Sequence, residues 1–242
     1  MLSVVIPAFN EEDRLGPTLD AVADYLGQIE SSYEVIVVDD GSSDGTTRVV
    51  QEKAGRNARI QLLRLPENRG KGAAVRAGVL ASRGDEVLFS DADLATPIDE
   101  IEKLRDRVAQ GADIAIGSRA KSGADIRVRQ HPVRELMGRT FNLLVQSMVM
   151  RGIEDTQCGF KLFRGEVARD LFRASQVDGF AFDVEILLLA KSRYHVVEVP
   201  VTWRHVEQSK VSPGRDAARM LWDILKLKWR KSWIRQENFP TR

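Results

Sequence analysis

The sequence predicts an α/β domain built on a mostly parallel central sheet with helices on both faces. Continuous Val/Ile/Leu runs of strand length recur over residues 2–119, as strands buried on both faces do. Stretches of helical periodicity separate them, the alternation of a parallel sheet wound with crossover helices. No internal repeat or low-complexity linker interrupts the chain.

"LSVVIP" (2–7) reads as the first strand, followed by an amphipathic helix over roughly 12–29. "YEVIVVDDGS" (33–42) is a second strand ending in acids, with a helix opening near Asp44. "RIQLLRL" (59–65) is the third strand, and "RGKGAAVRAGVLASRG" (69–84) a helix begun by glycines. "DEVLFSDAD" (85–93), "PIDEIEKLRDRVAQG" (97–111) and "ADIAIGSR" (112–119) complete this half as strand, helix and strand. The second half changes character. "SGADIRVRQHPVRE" (122–135) reads as a mobile basic loop, then a helix at roughly 134–150, a strand at 159–164, a helix at 181–193 and a strand at 195–203. A loop over 206–216 leads to a final helix of about 216–235. The economical division is one domain over 1–205 and a loop with a C-terminal amphipathic, basic helix over 206–242, packed on it.

Ligands of such sheets bind beyond the carboxyl ends of the strands. Those ends carry residues 7–11, 39–43, 91–93 and 117–119, so four polar clusters are expected on one rim.

Composition sets the limits. The 242 residues are 43% hydrophobic and 29% charged, with a formal net charge of +1, ordinary for a globular protein with a sizeable core. Any electrostatic partner has to be met by a local patch, and no nucleic-acid partner is expected. Cys158 is the single cysteine, which permits no internal disulfide and fits a reducing compartment. "MLSVVIPAFN" lacks a positive leader and a cleavage site, so it is a strand and not a signal peptide. No stretch approaches the roughly 18 apolar residues of a spanning helix. If the protein works at a membrane, it lies on the surface.

In "FSDADLATP" (89–97), Asp91 and Asp93 stand two apart on an extended chain end. Alone the pattern fits an acidic turn. At a strand terminus on the rim it suits one shared divalent cation, Mg2+ or Mn2+, bridging two phosphates and neutralising a diphosphate leaving group. His131, His195 and His205 are dispersed and offer no zinc cluster. "VVDDGSSDGT" (37–46) sets Asp39 and Asp40 where a carboxylate can accept the N–H of a nucleobase; an Asx-turn with a helix cap is the plain alternative. "NRGKGAA" (68–74) puts Lys71 between glycines at a helix start, suited to a phosphate or simply a tight turn with an exposed lysine.

Seven motifs in order, "VVIPAFNEE", "VVDDGSSDGT", "NRGKGAAVRAG", "DADLATP", "GSR", "DTQCGFKLF" and "FDVEILLLA", resemble the family-two inverting glycosyltransferases of the GT-A fold. They look most like the dolichyl-phosphate (polyprenyl-phosphate) beta-glucosyltransferase branch, related to dolichyl-phosphate mannose synthases. The resemblance runs from residue 2 to about 232. It implies that Pro7, Ala8, Phe9 and Glu11 line a nucleoside pocket, that Asp40 with Asp39 faces the base edge, and that Asp91 and Asp93 hold the metal. It implies further that Arg119 meets an acceptor phosphate, with Arg134 and Arg139 beside it and Ser209 and Lys210 on a late loop. "DTQCGFK", with Gln157 and Cys158, favours the glucosyl over the mannosyl branch. Two features depart from the pattern. Ala95 stands where mannose synthases carry a further Gln, and the chain starts at its first strand where glucosyl members have a membrane helix.

The implied reaction moves a hexose from UDP-glucose, or GDP-mannose in the mannosyl alternative, to a polyprenyl or dolichyl phosphate. The acceptor is already an anion, so no general base is required. Asp183 and Glu185 occupy the place where hydroxyl-acceptor relatives keep a base; their spacing points at most one inward, and Asp183 is the candidate. Arg127, Arg129, Arg134 and Arg139 suit an anionic acceptor or a solvated loop. On the last helix Trp222, Trp229 and Trp233, with Leu225, form one stripe, and Met220, Ile224, Leu227 and Ile234 a nearly opposite one. One stripe can pack on the domain while the other meets lipid; burial of both, in the domain or in a homo-oligomer, is the alternative. Competing functions are transfer to a soluble or glycan hydroxyl, with Asp183 essential, and a non-catalytic nucleotide-sugar binding module, against which Asp91, Asp93 and Arg119 argue. A nucleotidyltransferase would carry a Gly-rich signature where this chain has "PAFNEE".

Overall fold

The computed structural model describes residues 1–30, 32–128, 145, 152–204 and 215–234. The helix expected at 134–150 and the sites Arg134, Arg139, Ser209 and Lys210 lie outside the described residues, apart from Val145.

The strands and helices of the first half follow the expected alternation: β1 (Leu2–Ala8), α1 (Leu15–Ile29), β2 (Tyr33–Asp39), α2 (Thr46–Arg56), β3 (Ile60–Arg64), α3 (Lys71–Ala81), β4 (Glu86–Ser90), α4 (Ile101–Ala109) and β5 (Ile114–Ser118). Leu15, Leu19, Val22 and Leu26 recur at helical spacing on α1 and are all buried, so the stripe that makes the helix amphipathic also docks it. Then come β6 (Asp125–Val128), β7 (Phe160–Arg164), α5 (Gly165–Ala174), α6 (Phe182–Ala190), β8 (Val196–Pro200), β9 (Thr202–Arg204) and α7 (Arg215–Ile234).

Three elements differ from the sequence reading. Residues 125–128 of the expected basic loop form β6, which pairs in parallel with β9 as a separate two-stranded ribbon. The expected strand at 195–203 is divided at Val201 into β8 in the main sheet and β9 in that ribbon. Helix α5 follows β7 directly; its apolar face, Val167, Ala168, Leu171 and Phe172, is buried.

The main sheet has the order β3-β2-β1-β4-β7-β5-β8. Among its described strands β7 alone is antiparallel, paired with β4 on one side and β5 on the other. Its amino end therefore lies on the same rim as the carboxyl ends of β1, β2, β4, β5 and β8. Register places Ser90 opposite Phe160 and Phe89 opposite Lys161.

The sheet separates two buried clusters. Leu2, Val4 and Ile6 of β1 join Leu15, Leu19 and Leu104 on one side. Val5 joins Val38, Ala74, Val75, Phe89, Leu171 and Phe182 on the other, as do Ile224 and Leu227 of α7. Alternate β1 side chains thus enter opposite cores, which is why the run is apolar but for Ser3, whose hydroxyl donates to Glu34 at 2.6 Å. Among the described residues no helix is long and apolar enough to cross a membrane.

Helix α3 lies close on the sheet at Gly78, where an added Cβ would come within 2.4 Å of Val5 Cγ1 and 2.8 Å of Val38 Cγ2. Short β-branched side chains have no room to yield. Gly78→Ala is expected to lower stability by about 1–3 kcal/mol in urea unfolding, despite the better helix propensity of alanine.

Candidate active site

Hydrogen bonds between loops join the first three motifs. Asn10 has positive φ (55°). Its backbone N–H donates to Ser42 Oγ at 2.9 Å, and its Oδ1 accepts Ser43 N–H at 2.9 Å. Glu11 N–H donates to Thr46 Oγ1 at 2.7 Å and Glu12 accepts Gly45 N–H at 2.7 Å. Pro7 and Ala8 end β1 in register with Val38 and Asp39, and Phe9 opens the loop.

Asp39 is fully buried, accepting Ser42 N–H at 2.8 Å and the Thr47 hydroxyl. Asp40 accepts the N–H groups of Arg69 and Gly70, each at 2.8 Å. Burial pushes its carboxyl upward, partly offset by those two donors. Both aspartates tie the second motif in place, Asp40 to the third.

Beyond β4 the chain turns sharply. Thr18 Oγ1 holds the Ala92 carbonyl at 2.7 Å, Asp91 N–H donates to the Gly159 carbonyl at 3.0 Å, and Arg204 N–H of β9 donates to the Ala95 carbonyl at 2.8 Å. Leu94 has positive φ (45°). It and Asn10 are the non-glycine residues in this conformation among those described, and both sit on this rim, where backbone strain tends to collect.

Asp91 Oδ1 meets Lys71 Nζ at 2.7 Å. Its Oδ2 faces Gly159 so closely that a Cβ there would stand 1.9 Å away. Asp93 Oδ1 accepts Ala95 N–H at 3.0 Å. Burial, then the charge of Asp91, raises the Asp93 carboxyl above its usual range. Glu11 is buried and holds Arg14 by two bonds. Glu11, against the cost of burial, keeps the Arg14 cation above its ordinary pKa, with Asp93 and Asp91 adding to the effect. Arg14 Nη1 is buried with no hydrogen-bond partner among the described residues. Burial opposes the Lys71 charge, but Asp91, Asp183 and Asp93 together more than restore it.

Two carboxylates on the end of one strand, one of them raised by burial and then by its neighbour's charge, fit a divalent cation with oxygen ligands. The orphaned Arg14 donor fits an anion beside it. Among the described residues no group of three or more His, Cys, Asp and Glu could hold a metal. A cation held by Asp91 and Asp93 would take further ligands from outside this group.

Arg119, just past β5, is locked by Asp155: Nε donates at 2.7 Å, Nη2 at 2.8 Å and the backbone N–H at 2.9 Å. Burial opposes its charge and Asp155 overcomes that, holding Arg119 above its usual range. Asp155 in turn stays below its own range because Arg119 outweighs burial. Trp203 stacks on the guanidinium, 5.6 Å from carbon to ring centroid. Burial pushes the Cys158 thiol up to about 11, so it is no nucleophile at neutral pH.

Asp183 and Glu185 are both buried, where at most one was expected to turn inward. Asp183 accepts from Lys161, and Glu185 accepts the N–H groups of Gln176 and Val177 at 2.9 and 2.8 Å. Arg14, Asp155, Gly159, Lys161 and Trp203 complete the site without having been singled out in the sequence. "PAFNEEDR" contains a signal for Arg14, a cation one helical turn from Glu11. The others depend on which strands are neighbours.

The family model described as Glycosyl transferase family 2 matches residues 3–172. A dolichyl-phosphate beta-glucosyltransferase of Trichomonas vaginalis is 43% identical over 218 residues, 86% of this chain, which spans 65% of that relative's length. Its human counterpart by name is 38% identical over 244 residues, 95% of this chain and 75% of the relative. Glucosyl-3-phosphoglycerate synthase from Mycobacterium tuberculosis, solved with Mn2+, uridine diphosphate and glucosyl-3-phosphoglycerate, superposes with a TM-score of 0.67 at 18% identity, covering 96% of this chain and 79% of that one. Mannosyl-3-phosphoglycerate synthase from Rubrobacter xylanophilus gives 0.67 at 20%, covering 100% and 77%. At these identities the structures establish a shared fold, and the match over most of the sequence establishes the family: the chain belongs to glycosyl transferase family 2.

Proposed function

We propose that this protein transfers glucose, with inversion, from UDP-glucose to a dolichyl or other polyprenyl phosphate at a membrane surface. The observation that carries the reading is the rim itself. Asp91 and Asp93 stand among Lys71, Arg14 and Arg119, an arrangement for two phosphorylated substrates. The names of relatives at 36–43% identity choose glucose and the lipid phosphate.

In this mechanism Pro7, Ala8, Phe9 and Glu11 border the nucleoside, and Asp39 and Asp40, buried and bonded to the loop backbone, shape the edge that meets the base. Asp91 and Asp93 would hold Mg2+ or Mn2+, which supplies electrostatic stabilisation to the departing diphosphate. Lys71 lies beside Asp91 at the amino end of α3, within reach of the same phosphates. Arg119 spends its Nε edge on Asp155 and keeps the distal N–H groups for an acceptor phosphate. Asp155 and Trp203 hold that fork in orientation before substrate arrives, which lowers the entropic cost of alignment. Arg134, Arg139, Ser209 and Lys210 complete the acceptor side in the same reading.

The phosphate acceptor is favoured over a hydroxyl by the surroundings of Asp183. A hydroxyl needs a base in contact with solvent and substrate, and Asp183 is 3% exposed and ion-paired. The phosphate is already ionised near neutral pH.

Helix α7 supports the membrane location. Ile224 and Leu227 are buried, while Trp222 is 61% and Trp229 80% exposed, with Leu221 and Leu225 beside them. Lys226 Nζ lies 5.5 Å from the Trp222 ring centroid. Apolar bodies fringed by basic residues suit an anionic lipid surface. The helix also adjoins the rim. Asp223 approaches Gly179, and the neighbouring Asp178 carbonyl accepts Ala73 N–H of α3 at 3.2 Å. A reducing location on the cytoplasmic face suits the single thiol.

Three outcomes test this reading. With labelled UDP-glucose, Mn2+ and a short polyprenyl phosphate, the protein transfers glucose to the lipid, and Asp93→Ala loses about 100-fold or more of turnover; an active variant would remove the metal role. Gly159→Ala displaces the Asp91 carboxylate and lowers turnover by about 100-fold, with a melting temperature near wild type; undiminished turnover means that the close approach is irrelevant to catalysis. Trp222→Ala/Trp229→Ala loses flotation with anionic liposomes. Wild-type flotation together with a changed sedimentation profile would instead make the face a contact between copies of the chain.

A further inference from the structure

We infer that the buried Lys161–Asp183 ion pair is a positioning device for Asp91, and that through Asp91 it sets how tightly the rim takes up a divalent cation. The inference rests on the cation reading above.

Lys161 is 1% exposed and Asp183 3%. Charges that deep are costly, and a buried ion pair can usually be exchanged for apolar side chains with little loss of stability. Stability therefore does not explain why this pair is charged. The other bond of Lys161 does. Its Nζ donates to Asp183 Oδ1 and to the Cys158 carbonyl, the latter at 2.5 Å. Lys161 thus folds back three residues and pins the turn that leads into β7.

That turn supports Asp91. The Gly159 carbonyl accepts Asp91 N–H at 3.0 Å, and the Gly159 Cα leaves only enough space for the Asp91 carboxylate. A shift of the 158–159 peptide moves Asp91 directly. The other partner is tied to the same strand. Phe182, which precedes Asp183, meets Phe89 edge to face, with centroids 5.6 Å apart and planes at 73°. Phe89 is two residues before Asp91 and stands opposite Lys161 in the sheet. Lys71 Nζ and Lys161 Nζ lie 5.3 and 5.7 Å from the Phe89 centroid. The cation that touches Asp91 and the cation that pins its support are thus arranged about one ring.

Asp183 on this account is a positioning residue that acts through Lys161 and the 158–159 peptide. It fixes one end of a lysine, whose other end fixes the turn. Carboxylates that ligate metals commonly depend on such partners, whose loss costs about 10–100-fold in affinity.

The test is Mn2+ uptake in the presence of UDP, followed by electron paramagnetic resonance, with melting temperature measured on the same samples. Lys161→Met strands the Asp183 carboxylate, so lower stability is expected together with Mn2+ affinity at least about tenfold weaker. Lys161→Met/Asp183→Leu removes both charges, and its melting temperature should return towards wild type while its Mn2+ affinity stays weak. Asp183→Asn keeps an oxygen for Lys161 and should hold Mn2+ within about threefold of wild type, well short of a lost positioning group. A purely structural pair predicts the opposite for the double variant, with affinity recovering alongside stability, and that result overturns the inference. So does wild-type affinity in Lys161→Met. If the wild-type protein takes up no Mn2+ with UDP, or Asp93→Ala takes it up equally well, the cation reading fails and this inference with it; glucose transfer in the lipid assay then reports separately on the proposed reaction.

Discussion

Two carboxylates at the end of one strand repel each other, and much of the rim is arranged around that repulsion. Burial first, and then the charge of Asp91, raise the Asp93 carboxyl above its usual range. The compensation comes from different parts of the chain. Lys71 reaches Asp91 from α3, and Arg14 lends its field from the start of α1. A lysine in the first turn of a helix opposes the helix dipole, a local misfit that makes sense once Asp91 is its partner. Conflicts of this kind between local preference and final structure are expected at functional sites. What the cations leave uncompensated is the part a divalent cation and a diphosphate can complete together.

The same economy appears in the loops. Asp39 and Asp40 read as candidates for a nucleobase, and in the fold they are first of all tethers. Three backbone donors from the second and third motifs, and the hydroxyl of Thr47 just past the second, converge on them. An ionised carboxylate offers about four acceptor sites, so each of these buried acids can serve several donors at once. A pocket edge built from these residues is rigid before anything binds, and rigidity in the free state reduces what binding must spend on ordering.

Arg119 and the Lys161–Asp183 pair solve related problems differently. Arg119 is partly exposed and is oriented by a single buried acid. Lys161 is enclosed, and its effect travels through a carbonyl and a glycine. Both depend on segments that flank β7, the strand wedged between β4 and β5. Helix α7 adds the outer layer: its buried face shares a core with α3 and α6 while its Trp face is left outside.

Residue pattern alone determined the layered α/β architecture and the strand ends that form the rim, though not Arg14, Asp155 or Lys161 among its charged groups, because burial on two faces and helical periodicity are written locally in residue type. It also held the signal for Asp91 and Asp93, since their position at a strand end follows from the apolar run before them. It did not determine the direction of β7. "GFKLFR" is as good a strand whichever way it runs, because alternation specifies a face and not a neighbour. Only the tertiary structure runs β7 against β4, and that reversal brings Gly159 to Asp91 and Lys161 to Asp183. The short strand β6 and the division of β8 from β9 were hidden for a different reason. Four or fewer residues carry too little period to be seen, and the ribbon exists because each piece completes the other's backbone hydrogen bonds.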